Sequence, residues 1–282
     1  MIRASALAVI AVFAALPAVA GPIGYAQATG YFKKDSRPTL YQPLNLLDGR
    51  DNTAWCSPTA DTLNDHLTFG FKGLERIEEV RISTGNNFSA DTWAQFGRAK
   101  KIELRWVKGS KTIELEDKRG MQSITFDPPI EATRFTLEVL DSHLAEDPDS
   151  PVCLTDVIFV ASGKPASGTY LGTKLKYDKQ TAQVMGTWFA GYDDKPDRFL
   201  EFFFDGTFRY SYEPYDTQKY QPKDVTGEYD VSPGRMTFQI GKAKKSAKMN
   251  LDPNTKGKKG GMVLVFEGDL PDDLKQQFRS VP

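Results

Sequence analysis

The stretch YQPLNLLDGRDNTAWC, residues 41–56, combines a buried-looking apolar run, a tight turn and a polar loop. It approaches through Pro43, places Leu44, Leu46 and Leu47 inward, turns at Asp48-Gly49 and ends on Thr53, Trp55 and Cys56. Asp-Gly favours a turn because glycine accepts positive φ without steric cost. An Asp, an Asn and a Thr then crowd one short loop, and hard oxygens of this kind are what calcium takes. The alternative is a metal-free capped turn leading into a strand whose Trp55 is core.

Outward from this stretch, period-two alternation dominates. Leu67, Phe69 and Phe71 alternate with Thr68 and Gly70, and Ile102, Leu104 and Trp106 alternate with Glu103 and Arg105. Further short apolar segments run through Ile77 to Ile82, Ile113 to Leu115, Ile124 to Phe126, Phe135 to Val139 and Val157 to Val160. Turn signals at Gly73, Gly109, Gly120 and Pro128-Pro129 separate them, which predicts an antiparallel sandwich. The fold class expected for the whole chain is all-β.

NLLDGRDNTAWC, together with DHLTFGF, IEEVRISTGNN, GRAKKIELRW and CLTDVIFV, resembles the discoidin family, the C-type domains of coagulation factors five and eight. Within that family it is most similar to the NADase-type glycan-binding branch. The resemblance covers about residues 24–162 and implies a jelly-roll sandwich of eight strands that binds ligands through loops at one end. It implies no enzyme, because in that branch the module is separate from the catalytic domain. Carried over residue by residue, it implies a calcium site of Asp48, Asp51 and Thr53, closed by Asp156. Relatives usually have Glu at the closing place, and Asp is one methylene shorter.

The first twenty residues read as a secretory signal, with Arg3, an apolar run from Leu7 to Leu16, and Ala18-Val19-Ala20 before Gly21. That run is too short to span a bilayer. The expected location is therefore exported, periplasmic or secreted, with no transmembrane segment. The chain has 36 basic and 37 acidic side chains, a net charge of −1, and such a balance exerts no general pull toward nucleic acid or anionic membrane. Its two cysteines, Cys56 and Cys153, are expected to form a disulfide in an oxidising compartment, the alternative being two buried thiols.

The expected organisation is a signal peptide over 1–20, a discoidin-like β-sandwich over 21–162, a Gly/Ser/Thr/Lys-rich linker over 163–175 and a small β-barrel over 176–282. Gly186-Thr187-Trp188, LEFFFDGTFRYSYEPYD and GEYDV resemble small lipocalin-like barrels, although only six or seven strands are countable and an interior filled by aromatics is expected. Asp205-Gly206 between aromatic strands signals a hairpin, and Leu270 to Phe278 reads as a short terminal helix.

For ligand binding, the loop from Ser83 to Arg98 is long, polar and punctuated by Phe88, Trp93 and Phe96. Aromatic faces stack on sugar C–H faces, while amides and guanidinium forks bind hydroxyls, so Asn86, Asn87, Trp93 and Arg98 are candidate contacts. In the competing reading Trp93 and Phe96 fold inward and Arg98 pairs with an acid. His143, Glu146, Asp147 and Asp149 read as a solvated acidic loop, since neighbours in sequence rarely take the separation glycosidase carboxylates need. The lysines at 242, 244, 245, 248, 256, 258 and 259 suit an anionic polymer or, more simply, a protected strand edge. The expected function is non-catalytic recognition of a glycan or cell-surface polysaccharide, with calcium as a candidate cofactor. The alternative is envelope protein interaction, or a small apolar ligand held by the barrel.

Overall fold

The computed structural model describes residues 23–37, 39–62, 65–166, 179–192, 195–213, 221–253 and 262–280. The signal-like segment, most of the expected linker, and Lys256, Lys258 and Lys259 lie outside them.

The first half folds into eight strands: β1 (Ile23–Ala28), β2 (Trp55–Cys56), β3 (His66–Thr84), β4 (Gly97–Trp106), β5 (Gly109–Glu114), β6 (Met121–His143), β7 (Val152–Ala161) and β8 (Lys164–Pro165). Their order is β1-β3-β6-β4-β7-β2, with β5 on β4, β8 on β7 and a further pairing of β3 with β7. Strands β3 and β6 are long and their register breaks between Gly70 and Glu75, so each contributes to both layers of the sandwich. Between the layers Phe69, Phe71, Phe135 and Phe159 meet at ring-centroid distances of 5.0–6.2 Å. All four are fully buried, each worth about 1.5–3 kcal/mol of transfer free energy. At the start of the expected linker, Lys164 and Pro165 pair with Ala161 and Val160.

In the second half every strand pairs antiparallel with the next, and the sheet closes. The strands are β9 (Gly186–Tyr192), β10 (Lys195–Phe202), β11 (Thr207–Glu213), β12 (Lys223–Ser232), β13 (Arg235–Ile240), β14 (Ala243–Pro253), β15 (Met262–Glu267) and β16 (Gln277–Ser280). Phe202, Phe208, Tyr229, Phe238 and Phe266 fill one end of the barrel, with centroids 4.8–6.4 Å apart. The terminal helix expected over Leu270 to Phe278 is corrected: Asp272–Leu274 is a single 3₁₀ turn and Gln277–Ser280 is the closing strand. Leu270, Leu274 and Phe278 have helical spacing, but β16 satisfies its backbone against both β15 and β9 and puts Phe278 inside the barrel. Closure removes two sheet edges at once, which a lone helical turn cannot do. This eighth strand brings the count to that of the lipocalin-like resemblance.

The two halves share a buried seam. The β10–β11 hairpin is longer than a two-residue turn, since Phe202 pairs with Phe208. The extra residues send Phe203 out of the barrel and into the core of the sandwich, where it is 2% exposed. Its ring stacks on Tyr25 at 6.1 Å, and the space is available because Gly24 has no Cβ to clash with it. Tyr25 lies across Gly70 for the same reason. Its buried hydroxyl hydrogen-bonds Thr187 and donates to Glu201 at 3.4 Å. Around this centre Phe204 N–H donates to the Gly24 carbonyl at 2.9 Å, Thr187 N–H donates to Gln27 at 3.3 Å, and Lys72 pairs with Asp205. Burial pushes both the Tyr25 hydroxyl and the Glu201 carboxyl upward, so each favours its neutral form, and the Arg134 charge opposes the shift at both.

Two outcomes follow from these contacts. Phe203→Ala should destabilise the protein by about 3–5 kcal/mol, the usual cost of emptying a buried phenylalanine site. Denaturant unfolding reads this, and a loss below about 1 kcal/mol would show that the seam does not couple the halves. The disulfide Cys56–Cys153 spans 97 residues of sequence, and its reduction should cost about 4–5 kcal/mol on the chain-entropy model.

Candidate functional site

The Tyr41–Cys56 stretch is anchored from beneath. Pro43–Leu47 form a 3₁₀ turn whose side chains are all buried, and Asn45 Nδ2 donates to the carbonyls of Leu40 and Ala54, both at 2.9 Å. Trp55 is core, as the simpler reading of the stretch has it, and donates from its indole nitrogen to the Gly30 carbonyl at 3.2 Å. Gly49 takes φ +67°, the left-handed conformation that makes the turn tight.

At that turn two acids are buried together. Asp48 accepts from Arg50 N–H at 3.0 Å and from the Thr53 hydroxyl at 2.9 and 3.0 Å. Asp156, 2% exposed, accepts from Gly49 N–H at 3.3 Å. Desolvation first, then the charge of Asp48, pushes Asp156 up to about 8, with a further contribution from Asp51. Desolvation also raises Asp48, against the bonds from Thr53 and Arg50. Asp48, Thr53 and Asp156 therefore come together as the resemblance implies, while Asp51 stays exposed at the rim. Among the described residues no group of three or more His, Cys, Asp or Glu side chains is placed to hold a metal. The donor set fits a hard cation only with two carboxylates, the balance falling to hydroxyl and main-chain oxygens.

The Ser83–Arg98 loop contains a short helix, α1 (Ala90–Gln95), opened by a reciprocal cap between Ser89 and Thr92. Ahead of it Asn86 and Asn87 are buried. Asn86 Oδ1 accepts from Phe88 N–H at 3.3 Å, and Asn87 Nδ2 donates to Ser83 at 2.6 Å. Arg98 is buried as well and stacks 5.4 Å from the Trp93 ring. Its fork is spent inside the protein: it donates to both Asp117 oxygens at 2.6 and 3.0 Å and to the carbonyls of Trp93, Phe96 and Leu144 at 3.0–3.3 Å. Expected as hydroxyl-binding contacts, Asn86, Asn87 and Arg98 are all buried: Arg98 has its fork engaged inside the protein, whereas Asn87 Oδ1 is buried without a hydrogen-bond partner among the described residues. Trp93 is half-buried over Gly85 and Arg98, and Phe88, 62% exposed, is the aromatic the loop presents to solvent.

A second aromatic face comes from three segments far apart in sequence. Phe32, Tyr41 and Phe96 meet at 5.5, 5.7 and 6.2 Å, half-exposed, and pack on Ala54 and the Cys56–Cys153 disulfide. Phe32 is held by its N–H donating to the Cys56 carbonyl at 2.9 Å. In sequence Phe32 is one aromatic of the mixed segment from Gly24 to Pro38, and Phe96 belongs to the Ser83–Arg98 loop, where the competing reading folds it inward. The available signal was Tyr31-Phe32-Lys33-Lys34, two aromatics beside two lysines in a segment without strand alternation.

Among the other candidates, Glu146 N–H donates to the Ala94 carbonyl at 3.0 Å and Asp147 caps its own turn through Asp149 N–H, so this acidic loop is a folded surface element. Lys245 and Lys248 pair with Asp269 and Glu267 beside strand β14.

Comparison with known proteins gives three kinds of result. No curated protein matches this chain. Among solved structures, the family 32 carbohydrate-binding module of C. perfringens NanJ, in complex with galactose, is 18% identical, covers 48% of this chain and 91% of that one, and has a TM-score of 0.35. The CBM32-1 and CBM32-2 domains of Clostridium perfringens ZmpB, in complex with GalNAc, are 16% identical over 49% of this chain and 32% of that one, with a TM-score of 0.37. The Clostridium perfringens module CpGH89CBM32-5, in complex with GalNAc-β-1,3-galactose, is 17% identical over 47% and 91%, with a TM-score of 0.35. The family model described as the NAD glycohydrolase translocation F5/8 type C domain matches residues 21–160, so the first half of this chain is similar to that discoidin-like family.

Proposed function

We propose that the discoidin-like domain is a non-catalytic carbohydrate-recognition module working at the loop end of its sandwich, in an exported protein. The observation that carries the reading is the face of Phe32, Tyr41 and Phe96, three half-exposed rings immobilised against a disulfide. Rigid rings stack on the apolar faces of sugars at low entropic cost, and loops on a rigid scaffold are where binding residues usually sit. Phe88 extends the candidate contact area. Trp93 remains a candidate through its exposed edge, whereas Asn86, Asn87 and Arg98 act as supports for the loop. Export is supported by the apolar N-terminal run and by the disulfide, which persists in oxidising compartments.

Calcium is part of the proposal. Asp48 and Asp156 would supply the charged oxygens and Thr53 a hydroxyl, and the bound cation would relieve the repulsion between the two carboxylates and stiffen the turn below the loops.

A full-chain glycan array tests the carbohydrate reading. Binding should appear, and Tyr41→Ala should weaken it by about 2 kcal/mol, close to thirtyfold, the usual cost of removing a central aromatic anchor. A folded protein that binds no glycan, or a Tyr41→Ala variant with full affinity, would falsify it.

The acid pair predicts a pH dependence. Asp156 is raised in the folded state, so between about pH 4 and its folded value of about 8 the native protein holds a proton that the unfolded chain releases. In chelator, stability should therefore fall as pH rises through that window, by at most about 1.4 kcal/mol per pH unit. Asp156→Asn should flatten the profile. At pH 8 millimolar calcium should raise the wild-type melting temperature and leave Asp156→Asn unmoved. Superimposable wild-type curves in calcium and in chelator would remove the metal from the proposal.

A further inference from the structure

The aromatic face has a charged border. Residues 32–36 form a tight turn closed by Arg37 N–H donating to the Lys33 carbonyl at 2.8 Å. Within it Lys33 takes φ +55°, a left-handed conformation that a residue with a Cβ adopts only when its surroundings impose it. That conformation places Lys33 Nζ 4.9 Å over the Phe32 ring. Lys34 Nζ lies 5.9 Å over the ring of Tyr31, and Arg37 is close enough to Tyr41 for its charge to act on the phenol. Lys33, Lys34 and Arg37 are exposed, and none of them forms an ion pair with a carboxylate among the described residues. The one acid of the turn, Asp35, is likewise exposed.

We propose that the ligand of this face is an acidic saccharide, carrying carboxylate or sulfate groups, whose ring lies on Phe32, Tyr41 and Phe96 and whose anion is taken by Lys33, Lys34 and Arg37. The inference rests on the carbohydrate reading above and adds a substrate class to it. An ammonium above an aromatic face keeps N–H donors for an oxyanion at the ring edge, so stacking and charge pairing act on the same sugar. A saccharide is favoured over a membrane surface because the rings are clamped half-buried against the disulfide. Partly buried rings packed on Ala54 and the disulfide do not project as side chains that insert between lipids.

The test uses the full chain and five probes: oligogalacturonate, its neutral methyl ester, a heparin-derived oligosaccharide, a neutral galacto-oligosaccharide, and vesicles containing phosphatidylserine. At low salt the acidic saccharides should bind roughly tenfold more tightly than the methyl ester, the combined effect of a few solvent-exposed charge contacts. Comparing oligogalacturonate with the heparin fragment identifies the anion as carboxylate or sulfate, and preference for either supports the proposal. In a Lys33→Gln, Lys34→Gln, Arg37→Gln variant the advantage should disappear while the melting temperature and the residual binding of neutral sugar remain. Equal binding of acid and methyl ester, or an acid preference that survives the triple variant, overturns the acidic class and leaves carbohydrate recognition standing. Retention of no saccharide, with or without vesicle binding, overturns both.

Discussion

A single phenol hydroxyl, that of Tyr25, is the point on which the two halves of this protein close. It is fully buried, it lies on the first described strand, and its partners Thr187 and Glu201 come from the barrel. A buried hydroxyl without a partner is costly, so the sandwich core is complete only when β9 and β10 are in place. The packing requirements follow from the same residue. Tyr25 needs the bare α-carbon of Gly70 beneath it, and Phe203 needs that of Gly24. The seam is thus an uninterrupted part of one hydrophobic core.

The loop end of the sandwich is organised by different physics. There charge and burial set the arrangement: Arg98 locks Asp117 and three carbonyls from one side, while on the other burial and the charge of Asp48 favour a proton on Asp156. Between these two arrangements the disulfide fixes β2 to β7, and the aromatic rings lie on it. A ligand at a site built this way would leave little ordering to be done, and preorganisation of that kind matters more to affinity than contact area.

Most of the architecture was legible because strand alternation is a local signal. Leu67, Phe69 and Phe71, or Phe208 and Tyr210, announce a buried face wherever they are placed in space. Gln277–Ser280 was not legible as a strand, since its pairing with β9 and β15 is a property of closure and the spacing of Leu270, Leu274 and Phe278 imitates a helix. The turn at Asp48 and its meeting with Asp156 were readable through the family pattern, and the disulfide through a pair of cysteines in a chain expected to meet an oxidising compartment. The aromatic face was not, because Phe32, Tyr41 and Phe96 become neighbours only after three strands are aligned. Arg98 misled for the opposite reason: a fork in a polar loop looks available until the fold surrounds it with carbonyls and a carboxylate.

The seam also orders events during synthesis. The sandwich precedes in sequence the hairpin that carries Phe203, so until that hairpin docks, Tyr25 and the groove over Gly24 lack their cover. An incomplete chain carrying such an apolar opening is prone to self-association, and one ending before Gly186 would keep the opening permanently. The barrel thereby acts as a lid installed late, and the first domain, although it has its own sheets and its own disulfide, reaches its native surface only as part of the longer chain.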